Sequence, residues 1–125
     1  MHQGVVEPDG RRVHVTGQVA WDETGQVLHH GDAHRQTHAA FDNIAKVLAA
    51  AGGNLDDIVS MTTYLVRRED WSAISTARAE RLSDATGPAS TAVMVSGLAD
   101  PELLVELQVV AVIPEARFKT QTESG

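Results

Sequence analysis

The sequence contains no cysteine, few aromatic residues and an excess of acidic over basic charge. The lack of cysteine among its 125 residues excludes disulfides, thiolate metal sites and a thiol nucleophile. Aromatic residues make up only 4% of the chain, so we expect no platform for stacking nucleic-acid bases. The net charge of −7 argues against binding to a phosphate backbone. Chemistry must therefore come from carboxylates, hydroxyls, histidines or a cofactor.

Long apolar runs are also missing. No run approaches the roughly 20 residues needed to cross a bilayer, and the N-terminus MHQGVVEPDG lacks the basic and apolar regions of a signal peptide. We therefore expect a cytoplasmic protein that makes no membrane contact. With 42% hydrophobic and 22% charged residues, the chain is predicted to form one domain over residues 1–125, ending in a polar tail from 114 to 125.

The clearest strand pattern runs from Leu103 to Ile113. Every odd-numbered residue in this stretch is apolar, which predicts a strand with one buried face. The other face carries Glu106 and Gln108 between apolar neighbours. A strand this apolar is not expected at an open edge, so we expect Glu106 to be partly covered. Because partial burial strengthens proton binding by a carboxylate, Glu106 is a candidate acid or base, although a lone strand glutamate is more often simply solvated.

The remaining pattern predicts an α+β domain. We expect a strand at 11–17 that opens a small meander to about residue 30, followed by a helix capped by Asp32 and ended by Gly52-Gly53. A strand at 58–66 and a helix from Asp70, stopped by Thr86-Gly87-Pro88, come next. Two strands joined by a turn are expected within 87–113. Two helices fit most economically on one face of the sheet. The other face then needs a cover, which predicts a homo-oligomer.

Several short motifs follow one another at a specific spacing. They are Thr16-Gly17-Gln18, Gln36, Asn43, Ala51-Gly52, Asp57-Ile58-Val59, Tyr64, Pro88-Ala89 and Val105-Glu106. Together they resemble the RidA (YjgF/YER057c/UK114) family over a core of about residues 11–113. The resemblance implies a chorismate-mutase-like mixed sheet with two helices on one face, assembled as a homotrimer with ligand clefts between subunits. It also implies hydrolysis of reactive enamines and imines, such as 2-aminoacrylate, without metal or organic cofactor.

The resemblance implies a cleft lined by Thr16, Gly17, Ser90 and Glu106. Glu106 matches the family's glutamate, which positions water and moves a proton to the departing nitrogen. Thr16 and Gly17 match a Ser-Gly pair beside the cleft. Ser90, however, stands where the family's Pro-Ala-Arg motif has an arginine that grips the substrate carboxylate. Losing such a charge-assisted pair costs about 1.5–3 kcal/mol of binding, so we expect weak activity on 2-aminoacrylate.

Two further departures place the chain near the arginine-lacking branches of the family. The asparagine of the family's second helix falls at Ser75, and the N-terminal Gly-x-Tyr-Ser segment, which supplies a cleft tyrosine, is absent. Arg78 and Arg12 are the nearest candidates to replace the missing cation, with Arg78 taken as a candidate substrate-binding residue. The simpler interpretation of both is ordinary solvated charge.

The histidines His30, His34 and His38 recur every four residues, with Asp42 continuing the row. Two histidines at this spacing on a helix can hold Zn²⁺ or Ni²⁺. No carboxylate is fixed beside them by the spacing, however, so an exposed polar helix face is the favoured interpretation and no metal site is predicted.

The sequence therefore predicts a small-molecule-binding trimer that performs enamine or imine deaminase-type hydrolysis with Glu106 as general acid and base. The alternative is a non-catalytic binding or regulatory trimer in which Glu106 only hydrogen-bonds a ligand. RNA cleavage is disfavoured by the acidic charge.

Overall fold

A computed structural model describes residues 3–83 and 87–120 of the chain. Two helices pack on one face of a four-stranded mixed sheet, as predicted. The elements are β1 (Arg11–Gln18), α1 (Ala33–Ala50), β2 (Ile58–Leu65), α2 (Trp71–Arg81), β3 (Ala89–Met94) and β4 (Val105–Ile113). Over these described ranges no helix is both long and apolar enough to cross a membrane.

The strand order β1-β4-β2-β3 places the last strand of the sequence inside the sheet. β4 runs antiparallel to both β1 and β2, whereas β2 and β3 are parallel and are connected through α2. The two C-terminal strands are therefore not neighbours, contrary to the simple strand-turn-strand prediction, because a βαβ crossover places β3 beside β2. The predicted meander is reduced to one isolated bridge between Trp21 and Val27.

The core lies between the sheet and the two helices. Asp32 caps α1, since its side chain accepts a hydrogen bond from the backbone N–H of Arg35 at 3.0 Å. The predicted apolar stripe of α1 faces the sheet, and Phe41 is fully buried. All the predicted odd-numbered residues of the β4 region are buried as well. Each fully buried large side chain of this kind contributes about 1.5–3 kcal/mol.

Residues 114–120, the part of the polar tail that the structure describes, pack against the end of α1, an arrangement that the sequence pattern does not predict. The amides of Gly52 and Gly53 bond to the carbonyls of Ala49 and Leu48, at 3.1 and 2.8 Å, and close the helix in a Schellman motif. Arg117 then makes an ion pair with Asp57 at 2.7 Å. Burial raises the pKa of Asp57, but Arg117 and the backbone N–H of Asn54 together bring it below its usual value.

We predict that Gly52→Ala destabilises the fold more than Gly25→Ala does. Both glycines have a positive φ, +87° and +82°, so each substitution carries a backbone cost of about 1–2 kcal/mol. Only at Gly52 would the new Cβ also overlap the Arg117 carbonyl, lying 3.0 Å from its carbon. Urea unfolding of the two variants gives the comparison, and equal losses of free energy would show that the tail does not pack here in solution.

Candidate functional site

Glu106 lies on the face of the sheet that no helix covers. It is half-buried and stands opposite Tyr64 of β2 in the antiparallel register. Gln108 points to the same face, because it lies two residues further along the strand, and its side-chain oxygen accepts a hydrogen bond from the Tyr64 hydroxyl at 3.2 Å. This face therefore carries a carboxylate, a phenol and an amide on two adjacent strands.

A β-bulge in β1 brings Gly17 against Glu106. The pairing with β4 shifts between Val15 and Gln18, so that Thr16 and Gly17 occupy the place of one regular residue. A Cβ built on Gly17 would lie 2.7 Å from Cδ of Glu106 and overlap its carboxylate oxygen. Glycine is therefore required for the Glu106 side chain to lie across β1 as it does. The structure thus brings two of the predicted site residues, Gly17 and Glu106, into contact, with Thr16 next to Gly17 in the bulge.

Ser75, Arg78 and Ser90 form a second group between α2 and β3. The Arg78 side chain is buried, with the residue 3% exposed, and its Nη2 donates a hydrogen bond to Ser90 Oγ at 2.5 Å. Ser75 and Arg78 also line a cavity of about 200 Å³ beside Gly87 and Pro88. Burial lowers the pKa of Arg78 from its usual value. The interpretation of Arg78 as ordinary solvated charge is therefore wrong, because α2 turns this side chain inward toward Ser90.

The other candidate cation, Arg12, does fit the description of a surface charge. Its guanidinium forms a two-pronged pair with the carboxylate of Glu7, with separations of 2.9 and 3.0 Å, and both side chains are largely exposed. Hydrogen bonding and attraction from Glu7 raise the pKa of Arg12. Of the two arginines, Arg78 is the one that contacts a predicted site residue, Ser90.

The two groups lie on opposite faces of the sheet. Ser90 stands opposite the buried Met61, on the helix side, whereas Glu106 stands opposite Tyr64 on the uncovered side. β2 also separates β3 from β4. Within one chain the Ser90 and Glu106 side chains therefore point to different faces, although Ser90 also borders a cavity of about 460 Å³ with Ser60 and Thr62.

Two side chains of α1 hold the strands that carry Thr16, Gly17 and Glu106. Gln36 is fully buried, and its Oε1 accepts the N–H of Leu104, immediately before β4, at 2.8 Å. Asn43 donates to the carbonyl of Val19, immediately after β1, at 2.9 Å. Both amides act on backbone two residues away from the site. The sequence pattern predicts Gln108 beside Glu106. It predicts neither the role of the two α1 amides nor the bond from Tyr64 to Gln108, because these depend on helix packing and strand register.

Comparison with known proteins agrees with this architecture. A family model described as Endoribonuclease L-PSP matches residues 2–113. The chain is 36% identical to the 3-aminoacrylate deaminase RutC of Acinetobacter baylyi over 79% of this chain and 77% of that protein. It is 34% identical to a RutC family protein of Pyrococcus abyssi over 82% of this chain and 79% of that one. The chain belongs to the RidA (YjgF/YER057c/UK114) family.

Solved structures of the Rid family share the fold. The Rid family protein YyfB from Yersinia pestis superimposes with a TM-score of 0.74 at 34% identity, over 83% of this chain and 80% of that one. RidA from an Antarctic Psychrobacter gives a TM-score of 0.75 at 29% identity, over 89% and 86% of the two chains. The mixed sheet with two helices on one face is thus the Rid fold. Within that fold, this chain has Ser90 bonded to the buried side chain of Arg78.

We predict that Gly17→Ala moves the Glu106 carboxylate without unfolding the protein. Gly17 lacks a positive φ, and the new methyl group would meet the end of a flexible side chain rather than backbone. The free energy of unfolding should therefore change by less than about 1 kcal/mol. The ¹³C carboxyl resonance of Glu106, by contrast, should shift.

Gly97→Ala is the matched control, because a Cβ at Gly97 would meet open space. This variant should leave the Glu106 resonance unchanged. If Gly17→Ala also leaves it unchanged, then Glu106 does not lie against Gly17 in solution.

Proposed function

We propose that this protein is a trimeric, cytoplasmic Rid protein that hydrolyses a small enamine or imine in a cleft between subunits, with Glu106 as general acid and base and without a cofactor. The observation that carries the proposal is the position of Glu106. Its carboxylate lies against Gly17 on an uncovered sheet face, beside Tyr64 and Gln108. A half-buried carboxylate with polar neighbours is suited to proton transfer to a bound molecule.

The separation of the two residue groups supports a cleft shared by two copies. β3 is an edge strand, so Ser90 and Arg78 lie near one border of the protomer, whereas Glu106 lies on its open face. If the β3 border of one copy lies against the open face of the next, the two groups meet. The same contact would cover the exposed apolar residue Val93, which lies on that open face. A ring of three copies satisfies this head-to-tail relation in every subunit.

The chemistry requires one group that both gives and takes protons. An enamine is protonated at carbon to give an iminium ion, and water then adds to the C=N bond and loses a proton to give a carbinolamine. Transfer of a proton to nitrogen lets ammonia leave, and loss of the hydroxyl proton produces the carbonyl compound. In this proposal Glu106 donates the proton in the first step, accepts one from the attacking water and returns it to the nitrogen. It then takes up the hydroxyl proton as the carbonyl forms, so it ends protonated as it began.

Ser90 and Arg78 determine which substrates fit. The Ser90 oxygen accepts the hydrogen bond from Arg78, so the Ser90 hydroxyl can still donate its own hydrogen to a substrate oxygen. One hydroxyl cannot grip a carboxylate in the two-pronged way of an exposed arginine. We therefore propose slow turnover of 2-aminoacrylate. Because the chain is similar to a 3-aminoacrylate deaminase, the 3-amino isomer is the second enamine to test.

The assay generates each aminoacrylate in situ and traps the remaining enamine or imine with semicarbazide. We predict that the wild-type protein increases the yield of the free carbonyl product and of ammonia, with the 2-amino isomer the poorer substrate. Glu106→Gln keeps the size and hydrogen bonding of the side chain but removes its proton transfer. This variant should lose about 10²–10⁴-fold in rate.

The matched control is the double variant Glu106→Gln, Gln108→Glu. It keeps a carboxylate on the same sheet face but moves it to the neighbouring side-chain position. It should remain inactive. Rapid diversion of 2-aminoacrylate by the wild type would show that Ser90 does not limit that reaction. Thermal-shift screening with product analysis tests the alternative: a compound that stabilises the protein and is recovered unchanged identifies a non-catalytic binding trimer.

A further inference from the structure

His34, His38 and Glu80 converge on the outer surface where α1 meets α2. The Nε2 atoms of His34 and His38 lie 2.6 and 2.9 Å from the same Glu80 oxygen. The three ligand atoms all lie within 4.8 Å of one another. The histidine spacing alone supplies two ligands on one helix, and the packing of α2 against α1 adds a carboxylate that sequence spacing does not fix.

We propose that His34, His38 and Glu80 bind one Zn²⁺ ion, with water completing the coordination. Two imidazole nitrogens and one carboxylate oxygen form a common three-residue ligand set for zinc, which leaves a fourth position for water or another ligand. The ligands are partly exposed, with side-chain exposures of 40%, 30% and 50%, so the ion can enter from solvent. This departs from the sequence-based expectation of a merely polar helix face.

Both imidazoles already hydrogen-bond the same carboxylate oxygen through the nitrogen atoms that would bind the ion. A metal ion bound between the three side chains would replace these hydrogen bonds with coordination bonds to the same atoms. Only small side-chain movements are needed, because the donor atoms already face one another.

Arg81 opposes binding and therefore offers a specific test. Its Nη1 lies 3.3 Å from Nδ1 of His38 and is also held by the His38 carbonyl at 3.0 Å. Its Nη2 pairs with Asp42 at 2.9 Å. When Nε2 of His38 binds a metal, the imidazole proton lies on Nδ1 and faces this guanidinium. A neutral acceptor at position 81 would instead accept a hydrogen bond from the Nδ1–H and orient the ring, as outer partners of metal-bound histidines do.

A metal ion at this site would join α1 to the last turns of α2. Glu80 lies two residues after Arg78, the side chain that bonds Ser90 on the other side of the same helix. Zinc would therefore stabilise the helix that positions Arg78. The inference does not depend on the hydrolytic reaction, since metal affinity can be measured on the folded protein without substrate.

The test is titration of the protein with Zn²⁺, with affinity from calorimetry and stability from thermal unfolding. The wild type should bind one ion per chain and unfold at a higher temperature. His38→Asn and Glu80→Gln should each weaken binding by at least about tenfold, whereas His14→Asn, an exposed histidine of β1, should not. Mg²⁺ should have no effect, because it prefers oxygen ligands.

Arg81→Gln should bind Zn²⁺ several-fold more tightly than the wild type. Each variant is compared with its own metal-free state, so a general loss of stability does not affect the result. The visible spectrum of the Co²⁺-substituted protein reports its nitrogen and oxygen ligands and should change in His38→Asn. Equal Zn²⁺ affinity of the wild type and Glu80→Gln, or no saturable binding, would overturn the proposal.

Discussion

The position of the candidate site depends on the buried amide of Gln36. Its Nε2 lies 3.0–3.3 Å from the carbonyls of Leu28, His29 and Glu102, and its Oε1 accepts the N–H of Leu104. One side chain on α1 thus satisfies backbone groups from two separate connections. Without it, the buried N–H of Leu104 would lose this partner, at a cost of about 1–3 kcal/mol. The entry of β4, and with it Glu106, is therefore fixed by a helix on the opposite side of the sheet.

Asn43 extends the same principle by two turns of α1. Asn43 bonds the carbonyl of Val19, as Gln36 bonds the N–H of Leu104. The C-terminal end of β1 and the N-terminal end of β4 are therefore both positioned by hydrogen bonds to α1. This matters because the bulge at Thr16 and Gly17 interrupts the regular pairing between those strands. The bonds to α1 fix the relative position of β1 and β4 where the regular hydrogen bonding between these strands is interrupted. The uncovered face can then remain open to a ligand or a second protomer while β1 and β4 keep their relative positions.

The elements that the sequence predicts well are those whose signals are local. The apolar stripe of α1, its Asp32 cap, the glycine stop after it and the alternation along β4 each lie within one segment, and all are found in the structure. The motif order also identifies the fold correctly. The strand order is not predictable in this way, because nothing within 87–113 shows that β2 lies between its two strands.

The contacts between distant segments escape prediction for the same reason. Two of these contacts, from Arg78 to Ser90 and from Glu80 to the histidines, depend on the orientation of α2. Only tertiary packing fixes that orientation, because the apolar stripe of α2 is thin. The docking of Arg117 on Asp57 likewise joins residues that are far apart in the chain. A pattern of residue types does not contain these distances, because the tertiary packing of α2 and of residues 114–120 sets them.

The serine at position 90 and the buried arginine at position 78 are best understood together. Position 90 faces the helix side of β3, where the Arg78 guanidinium lies 2.5 Å from the Ser90 oxygen. A second guanidinium on residue 90 would have to share this space with a like charge, or turn away from it, and burial already disfavours the charged form of Arg78. The small hydroxyl avoids that repulsion and accepts a bond from Arg78. The positive charge of Arg78 on α2 thus reaches the β3 border through the Ser90 oxygen.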